Sequence, residues 1–188
     1  MESNNPFHIP GKQEVFEALV SGKHLSLHSG ELYHYLLEHK EAYQAELASL
    51  GYVLVHEQDY FYLLSRDDNR TNDYSHKVLV FIAIMLEFIA QTGNDMIDTL
   101  YRSRGFERDQ LPHFSTERYK NYMQHLGIED EKALHTLLRN LHRSGFIDYR
   151  ESENFLRFLP PCQRFIQLAL DVLEQHKKQQ AEQGETGA

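Results

Sequence analysis

The feature that most constrains the fold of this chain is a pattern that occurs twice, at residues 47–64 and 141–159. In each copy a helical stretch ends at a glycine, and two short runs of aromatic and β-branched residues follow, separated by a polar turn. Gly51 and Gly145 stand at the junctions, where a glycine in the left-handed conformation lets a helix turn directly into a strand. The pattern therefore predicts that each half of the chain ends a helical segment in a β-hairpin.

Hydrophobic periodicity extends this interpretation to the rest of the chain. Upstream of the first copy it predicts a helix over residues 13–20, a short extended piece at 24–27, and two helical segments after an N-cap at Ser29. The other predicted elements are helices over 75–91, 94–101, 116–125 (capped by Ser115), 130–144 (capped by Asp130) and 162–177, and strands over 52–56, 60–64, 146–149 and 155–159.

The predicted fold class is mainly α with short β-hairpins, an α+β chain, because three helices followed by a two-stranded wing form a winged-helix domain and the arrangement occurs twice. The predicted boundaries are 7–66 for the first winged-helix domain and 75–178 for the second with its C-terminal helix, joined by a linker at 67–74. A polar tail at 179–188 is predicted to be disordered. The alternative is a single irregular α+β domain with two unrelated hairpins.

Composition favours a folded cytoplasmic protein without a membrane span. Residues 1–11 are polar and contain prolines, so no signal peptide is predicted, and Cys162 has no second cysteine with which to form a disulfide. The longest apolar run, residues 78–90, has 13 residues and includes Glu87. Since a bilayer span needs about 20 residues, this run is predicted to be a buried core helix.

The sequence contains no recognisable catalytic motif. Its twelve histidines include no HExxH pair, and there is no phosphate-binding glycine loop and no nucleophile elbow. His135 and His142 share a helix face, but two imidazoles make a weak metal site. We therefore predict a non-enzymatic protein with no cofactor or metal, and a histidine-based metal hydrolase is the alternative.

Charge is distributed unevenly along the chain, whose net charge is −9. Residues 101–143 hold 8 Lys and Arg against 6 Asp and Glu, and they form the only net-positive stretch. The helix over 130–144 and the wing after it are therefore the predicted place for weak, non-specific DNA contact, although acidic residues crowd the helix N-terminus. The candidate DNA-binding residues are Lys132, Arg139, Arg143, Arg150 and Arg157. A winged-helix transcription regulator is the alternative function.

The first half is acidic and aromatic, which favours a protein partner over DNA. Glu38 and Glu41 lie on its helices, and the hairpin carries Tyr52, Tyr60 and Tyr62. A wing that exposes alternate rings at a strand edge offers a docking place for a peptide strand or a helix. These five residues are the candidate partner-binding residues, and the alternative is that the rings fill the core of a small domain.

Several of these residues form a pattern that resembles a known family. The matching positions are Phe16-x-x-Leu19-x-x-Gly22-x-His24, Leu32-Tyr33-x-x-Leu36, Tyr43, Leu50-Gly51-Tyr52-x-Leu54 and Phe61-x-Leu63. They resemble the MukE and MksE proteins, the small subunits of bacterial condensins, and the relative found in Wadjet-type plasmid defence is also similar. The resemblance covers about residues 7–175, and the length of the chain favours the MksE-like branch.

The resemblance implies an accessory subunit that homodimerises and binds a kleisin, which in turn bridges the heads of an SMC ATPase. Such a complex condenses and segregates chromosomes or, in the defence version, acts on plasmids. ATP hydrolysis then belongs to the SMC partner, and the protein is expected in the cytoplasm at the nucleoid. No catalytic residue is implied, because the family works through surfaces.

Overall fold

The computed structural model describes residue 9 and residues 11–65, 73–102 and 105–171. The chain divides into two units. The first contains the chain to residue 70 with residues 143–146 and 159–161, and the second contains residues 71–142, 147–158 and the chain from 162. Residues 66–72 and 172–188 lie outside the described part, so most of the predicted linker, the end of the last helix and the predicted disordered tail stay predictions. The last two residues of the predicted linker, 73 and 74, belong to a helix.

The first unit consists of three helices and a three-stranded antiparallel sheet. Its elements are α1 (Lys12–Val20), β1 (Leu25–Ser26), α2 (Glu31–Glu38), α3 (Lys40–Ser49), β2 (Tyr52–Glu57) and β3 (Tyr60–Ser65). The strand order is β1-β3-β2, and β2 and β3 form the predicted hairpin with Leu54 opposite Leu63. The N-cap predicted at Ser29 is wrong: Ser29 lies in a 3₁₀ turn, where its hydroxyl accepts the Ser26 N–H, and Gly30 is the residue that precedes α2.

The core of the first unit forms because each helix has apolar residues at helical spacing that pack on one face of the sheet. Val15 and Leu19 come from α1, Leu36 from α2, and Tyr43 and Leu47 from α3. Leu25, Leu54 and Phe61 complete this cluster from the strands. The alternation of β2 and β3 thus directs one set of side chains to the helices and leaves the other set on the opposite face of the sheet.

The second unit repeats this order of elements with additional helices. Its elements are α4 (Asp73–Gln91), α5 (Met96–Arg102), β4 (Phe106–Glu107), α6 (Glu117–His125), α7 (Glu131–Arg143), β5 (Ile147–Arg150), β6 (Phe155–Phe158) and α8, helical over residues 163–171. The strand order β4-β6-β5 corresponds to that of the first sheet. Asp130 caps α7 as predicted, accepting the Ala133 N–H at 2.7 Å, whereas α6 is capped by Thr116 and not by Ser115.

Helix α4 forms the centre of the second unit, as the apolar run predicted. Seven of its residues are buried: Val78, Phe81, Ile82, Ile84, Met85, Leu86 and Ile89. Against it lies His113, which is fully buried, stacks on Phe81 with ring centroids 4.2 Å apart, and donates from Nε2 to the Phe81 carbonyl at 3.1 Å. In the described part of the chain, no helix is both long and apolar enough to cross a membrane.

The two junction glycines have the predicted conformation. Gly51 has a φ of 84° and Gly145 a φ of 77°, in the left-handed region that favours glycine. Their surroundings differ, because a Cβ on Gly51 would meet open space, whereas a Cβ on Gly145 would lie 2.3 Å from the carbonyl oxygen of His24. Gly145 is therefore required both by the turn and by the close approach of another backbone segment.

Candidate functional site

The hairpin of the first unit buries two of its three predicted partner-binding tyrosines. Tyr60 is 2% exposed and Tyr62 is 8% exposed, and both hydroxyls donate to the Glu57 carboxylate, at 2.6 and 3.0 Å. The ring of His24 stacks on Tyr62 with centroids 5.3 Å apart. Tyr52 is half-buried and packs edge-on against Phe16. The expectation that alternate rings are exposed is therefore wrong for Tyr60 and Tyr62, because His24 and Glu57 cover the part of the sheet on which these two rings lie.

The exposed apolar residues of this hairpin are aliphatic. Val53 and Leu64 lie directly opposite each other in the register of β2 and β3, and they are 43% and 45% exposed. Leu50, at the end of α3, is 55% exposed. An exposed cross-strand pair of large aliphatic side chains loses contact with water when a partner covers it, and such contacts drive association. The alternation of side chains along the hairpin already places Val53 and Leu64 on one face of the sheet. The prediction that only the aromatic rings of this hairpin bind a partner left these two residues out.

An apolar groove of about 600 Å³ lies between α1 and α3 in the same unit. Burial, and then the negative charge of Glu14, raises the pKa of the Tyr43 phenol in its wall to about 12, so this hydroxyl stays neutral. Lys12 forms an ion pair with Glu46 at the rim. Leu50 belongs to both the groove and the exposed apolar set, and the other apolar residues that line the groove are Ile9, Val15, Phe16, Tyr43 and Leu47.

The charge of the first unit is negative around these apolar features. Residues 11–65 contain three lysines, no arginine and eight acidic residues. Glu38, at the end of α2, and Glu41, in the first turn of α3, are both exposed. A partner segment that combines apolar side chains with lysine or arginine would complement this surface.

The candidate DNA-binding residues of α7 and the second hairpin are mostly at the surface, but acidic residues neutralise several of them. Lys132, Arg139 and Arg143 are exposed on α7. Arg150 pairs with Glu153 at 3.1 Å and with Asp148 at 3.3 Å. The half-buried Arg157 also approaches Asp148, at 3.5 Å.

Arg139 makes the most specific of these ion pairs. Its Nε and Nη2 each donate to a different oxygen of Glu151, both at 3.1 Å. The hydrogen bond from Arg139 is the main reason that the pKa of the Glu151 carboxyl is lowered. In the sequence, Glu151 is only one residue of the polar turn between the two strands of the second hairpin. Its ion pair with Arg139, twelve positions away, follows from the packing of that hairpin against α7 and from no local pattern.

The described histidines are packed or hydrogen-bonded side chains where their contacts are visible. In the residues that the structure describes, no group of three or more His, Cys, Asp or Glu side chains is arranged to hold a metal ion. His56 stacks on Phe61 with centroids 4.0 Å apart, and its Nδ1 lies 3.3 Å from the Lys40 ammonium. Burial, followed by the charge of Lys40, lowers the pKa of His56, which is consistent with a neutral packed side chain.

One protein family matches most of the length of the chain. The family described as condensin complex protein MksE matches residues 10–170. The chain belongs to the MksE family. It is therefore a condensin-complex protein, which makes it part of an SMC-containing assembly, and the resemblance drawn from the sequence is confirmed.

A comparison with curated proteins finds no match to this chain. Membership of the MksE family shows that the chain is a condensin-complex protein. Which of its surfaces bind partners has to be argued from its own residues. Two surfaces are prominent: the apolar, acidic side of the first unit, and the ion-paired side of α7 in the second.

Proposed function

We propose that this MksE-family chain is a non-enzymatic accessory subunit of a condensin-like SMC–kleisin complex, and that its first unit binds the kleisin. The match over residues 10–170 is the observation that carries this proposal. The complex condenses and segregates chromosomes or acts on plasmids, and the SMC partner supplies ATP hydrolysis. Homodimerisation, a cytoplasmic location at the nucleoid and weak contact with DNA are further parts of the proposal.

The architecture of both units supports tandem winged-helix domains. In each, a hairpin follows a helix through a left-handed glycine, and the second strand of the hairpin lies at the centre of the sheet. A two-residue strand from earlier in the unit, β1 or β4, completes each sheet. Three helices followed by a wing on a small sheet is the winged-helix arrangement.

The surface chemistry of the first unit supports a protein partner over DNA. Val53 and Leu64 form an exposed aliphatic pair, and exposed acids such as Glu38 and Glu41 make the unit repel phosphate. Aliphatic anchors at the centre of an interface, ringed by charges that orient the partner, are the arrangement from which binding energy and specificity come. We therefore propose that the kleisin binds to this aliphatic pair and to the neighbouring groove between α1 and α3.

Co-purification with the kleisin of the same SMC complex tests this assignment. We expect the wild-type protein to capture it and Leu64→Glu to bind it about tenfold or more weakly, since a charge would replace an apolar side chain that the kleisin covers in the complex. Ile97→Glu is the matched control, because Ile97 on α5 is 43% exposed and lies in the second unit. Equal binding by Leu64→Glu and wild type would remove the assignment of the surface, and failure of the wild-type protein to capture any kleisin would remove the function.

The alternative of a transcription regulator is less well supported. Sequence reading requires side chains free to reach base edges, whereas Arg139 and Arg150 are engaged by Glu151, Glu153 and Asp148. Equal affinity for a promoter fragment and for random DNA, measured by fluorescence anisotropy, is the result that we expect.

A further inference from the structure

Strand β2 forms an open edge of the first sheet. Within residues 11–65 the strand order is β1-β3-β2, so β2 pairs with β3 on one side and with no strand on the other. An exposed strand edge presents unpaired N–H and C=O groups, which proteins usually protect with proline, lysine, a bulge or a covering segment. The sequence of β2, Tyr-Val-Leu-Val-His-Glu, has neither proline nor lysine, and its register with β3 runs without a bulge over all six residues.

The turn of the hairpin fixes which amides face this edge. The turn has two residues, 58–59, so the pair that closes it, Glu57 and Tyr60, is hydrogen-bonded across the hairpin. Because hydrogen-bonded and non-hydrogen-bonded pairs alternate along an antiparallel ladder, the N–H groups of Leu54 and His56 point away from β3. In the described residues, no backbone group outside the hairpin accepts a hydrogen bond from either N–H.

The second sheet has the same strand order, but its edge is capped. Its edge strand β5 has only four residues, and the Tyr149 N–H donates to Nδ1 of His142 at 3.1 Å. His142 lies on α7, three positions before the junction glycine Gly145. The corresponding position of the first unit, three before Gly51, is Ala48, whose methyl group has no acceptor for a backbone amide. The two copies of the repeat therefore differ, with a capped edge in the second unit and an open one in the first.

The side chains around the open edge indicate what kind of segment fits it. Val53 is 43% exposed, and the half-buried Val55 lies on the same face of β2. A strand added beside β2 would place every second side chain against this face, where aliphatic and β-branched residues pack best. At the turn end of the edge, Glu57 and Asp59 are exposed, and they favour a lysine or arginine in the added segment.

We infer that β2 takes up an extended segment of the kleisin as a fourth strand of the first sheet. This mode of binding rests on the proposed function and specifies it, because it adds a row of backbone hydrogen bonds to the side-chain contacts at Val53 and Leu64. An extended segment is favoured over a helix, since a helix satisfies its own backbone groups and would leave the edge of β2 unpaired. Backbone pairing supplies affinity, and the alternating side chains supply specificity.

Hydrogen–deuterium exchange resolved to single amides tests this inference on the full chain, alone and bound to the kleisin of the same SMC complex. We expect exchange of the Leu54 and His56 amides to slow by about tenfold or more in the complex, because each gains an acceptor. The Val55 amide already faces β3 and the Tyr149 amide is bonded to His142, so both should change much less. Docking through side chains alone would not produce this alternation.

Ala48→His tests the edge by substitution, because it introduces into the first unit the residue type that caps the edge of the second. We expect this variant to bind the kleisin about fivefold more weakly than wild type, since the imidazole competes with the kleisin backbone for the open amides. Ala42→His is the matched control, because Ala42 is also exposed on α3 but lies about 9 Å away along the helix axis. Thermal unfolding by circular dichroism should give similar curves for both variants and wild type.

The outcomes separate this inference from the proposed function. Unchanged exchange at Leu54 and His56 in a complex that does form would overturn strand addition and leave kleisin binding in place. No loss of affinity from Ala48→His, or an equal loss from Ala42→His, would overturn it as well. Failure of the wild-type protein to capture the kleisin would remove the proposed function, and the inference with it.

Discussion

Gly145→Ala is expected to lower the free energy of unfolding by about 3 kcal/mol. The left-handed backbone of Gly145 costs an alanine about 1–2 kcal/mol. In addition, the new Cβ would lie 2.3 Å from the carbonyl oxygen of His24, which is backbone and cannot move aside as a side chain would. Relief of that overlap would break the hydrogen bond from the His24 N–H to the Ser144 carbonyl, now 2.9 Å long.

Gly51→Ala separates the two costs. Gly51 belongs to the same unit, has a similar φ of 84°, and has no atom within 4 Å of the added Cβ. Its substitution should cost about 1 kcal/mol from backbone conformation alone. Urea unfolding of the two variants and the wild type measures the difference. Equal destabilisation by both substitutions would show that the close approach of His24 to Gly145 contributes nothing.

The stability of the second unit is expected to fall by about 3 kcal/mol between pH 7.5 and pH 4 through His113 alone. Burial lowers the pKa of His113 from 6.5 to about 4, and the hydrogen bond to the Phe81 carbonyl opposes this shift only in part. Since Nε2–H donates to that carbonyl, a second proton would go to Nδ1, which is buried and without a partner among the described residues. Protonation therefore buries a charge and leaves the new Nδ1–H donor without an acceptor among the described residues.

The sign of this dependence follows from which state binds the proton. Between pH 6.5 and pH 4 the unfolded chain holds a proton on His113 and the folded chain does not, so acid favours unfolding. The contribution is complete above pH 6.5 and is lost as the pH falls toward 4. Unfolding free energies from urea titrations at several pH values measure it.

His113→Phe is the informative variant, because a phenyl ring can keep the stacking on Phe81 and cannot be protonated. The difference in unfolding free energy between wild type and variant should change by about 3 kcal/mol between pH 7.5 and pH 4, in favour of the variant at the lower pH. The Asp and Glu residues are the same in both proteins, so their contributions to the pH dependence of the unfolding free energy cancel in this difference. A difference that stays constant with pH would contradict the assigned protonation state of His113.

The chain encodes its regular elements locally, which is why most of them are predictable. Helix α4 follows from an apolar run too short for a membrane, and α7 from leucines at helical spacing with Asp130 as its cap. Strands β1 and β4 have two residues each. β4 was missed altogether, because a two-residue strand has no periodicity and exists only by pairing with β6.

The surfaces are less predictable, since burial of a strand face depends on segments distant in sequence. Tyr60 and Tyr62 have the residue types of an exposed aromatic wing, but Glu57 and the ring of His24 enclose them. The exposed pair Val53 and Leu64 takes their place at the surface. The predicted roles of the five partner-binding and five DNA-binding residues stay predictions, which the measurements described above begin to test.

The sequence by itself determined the repeated order of helix, glycine and hairpin, the acidic character of the first half and the family to which the chain belongs. These properties are carried by periodicity, backbone conformation and charge count, which are local or additive. Only the tertiary structure decided that Gly145 lies close to the His24 backbone, that His113 is buried against α4 and that Glu151 forms an ion pair with Arg139. Each of these is a contact between residues at least twelve positions apart, and such contacts depend on how elements pack, which no local pattern specifies.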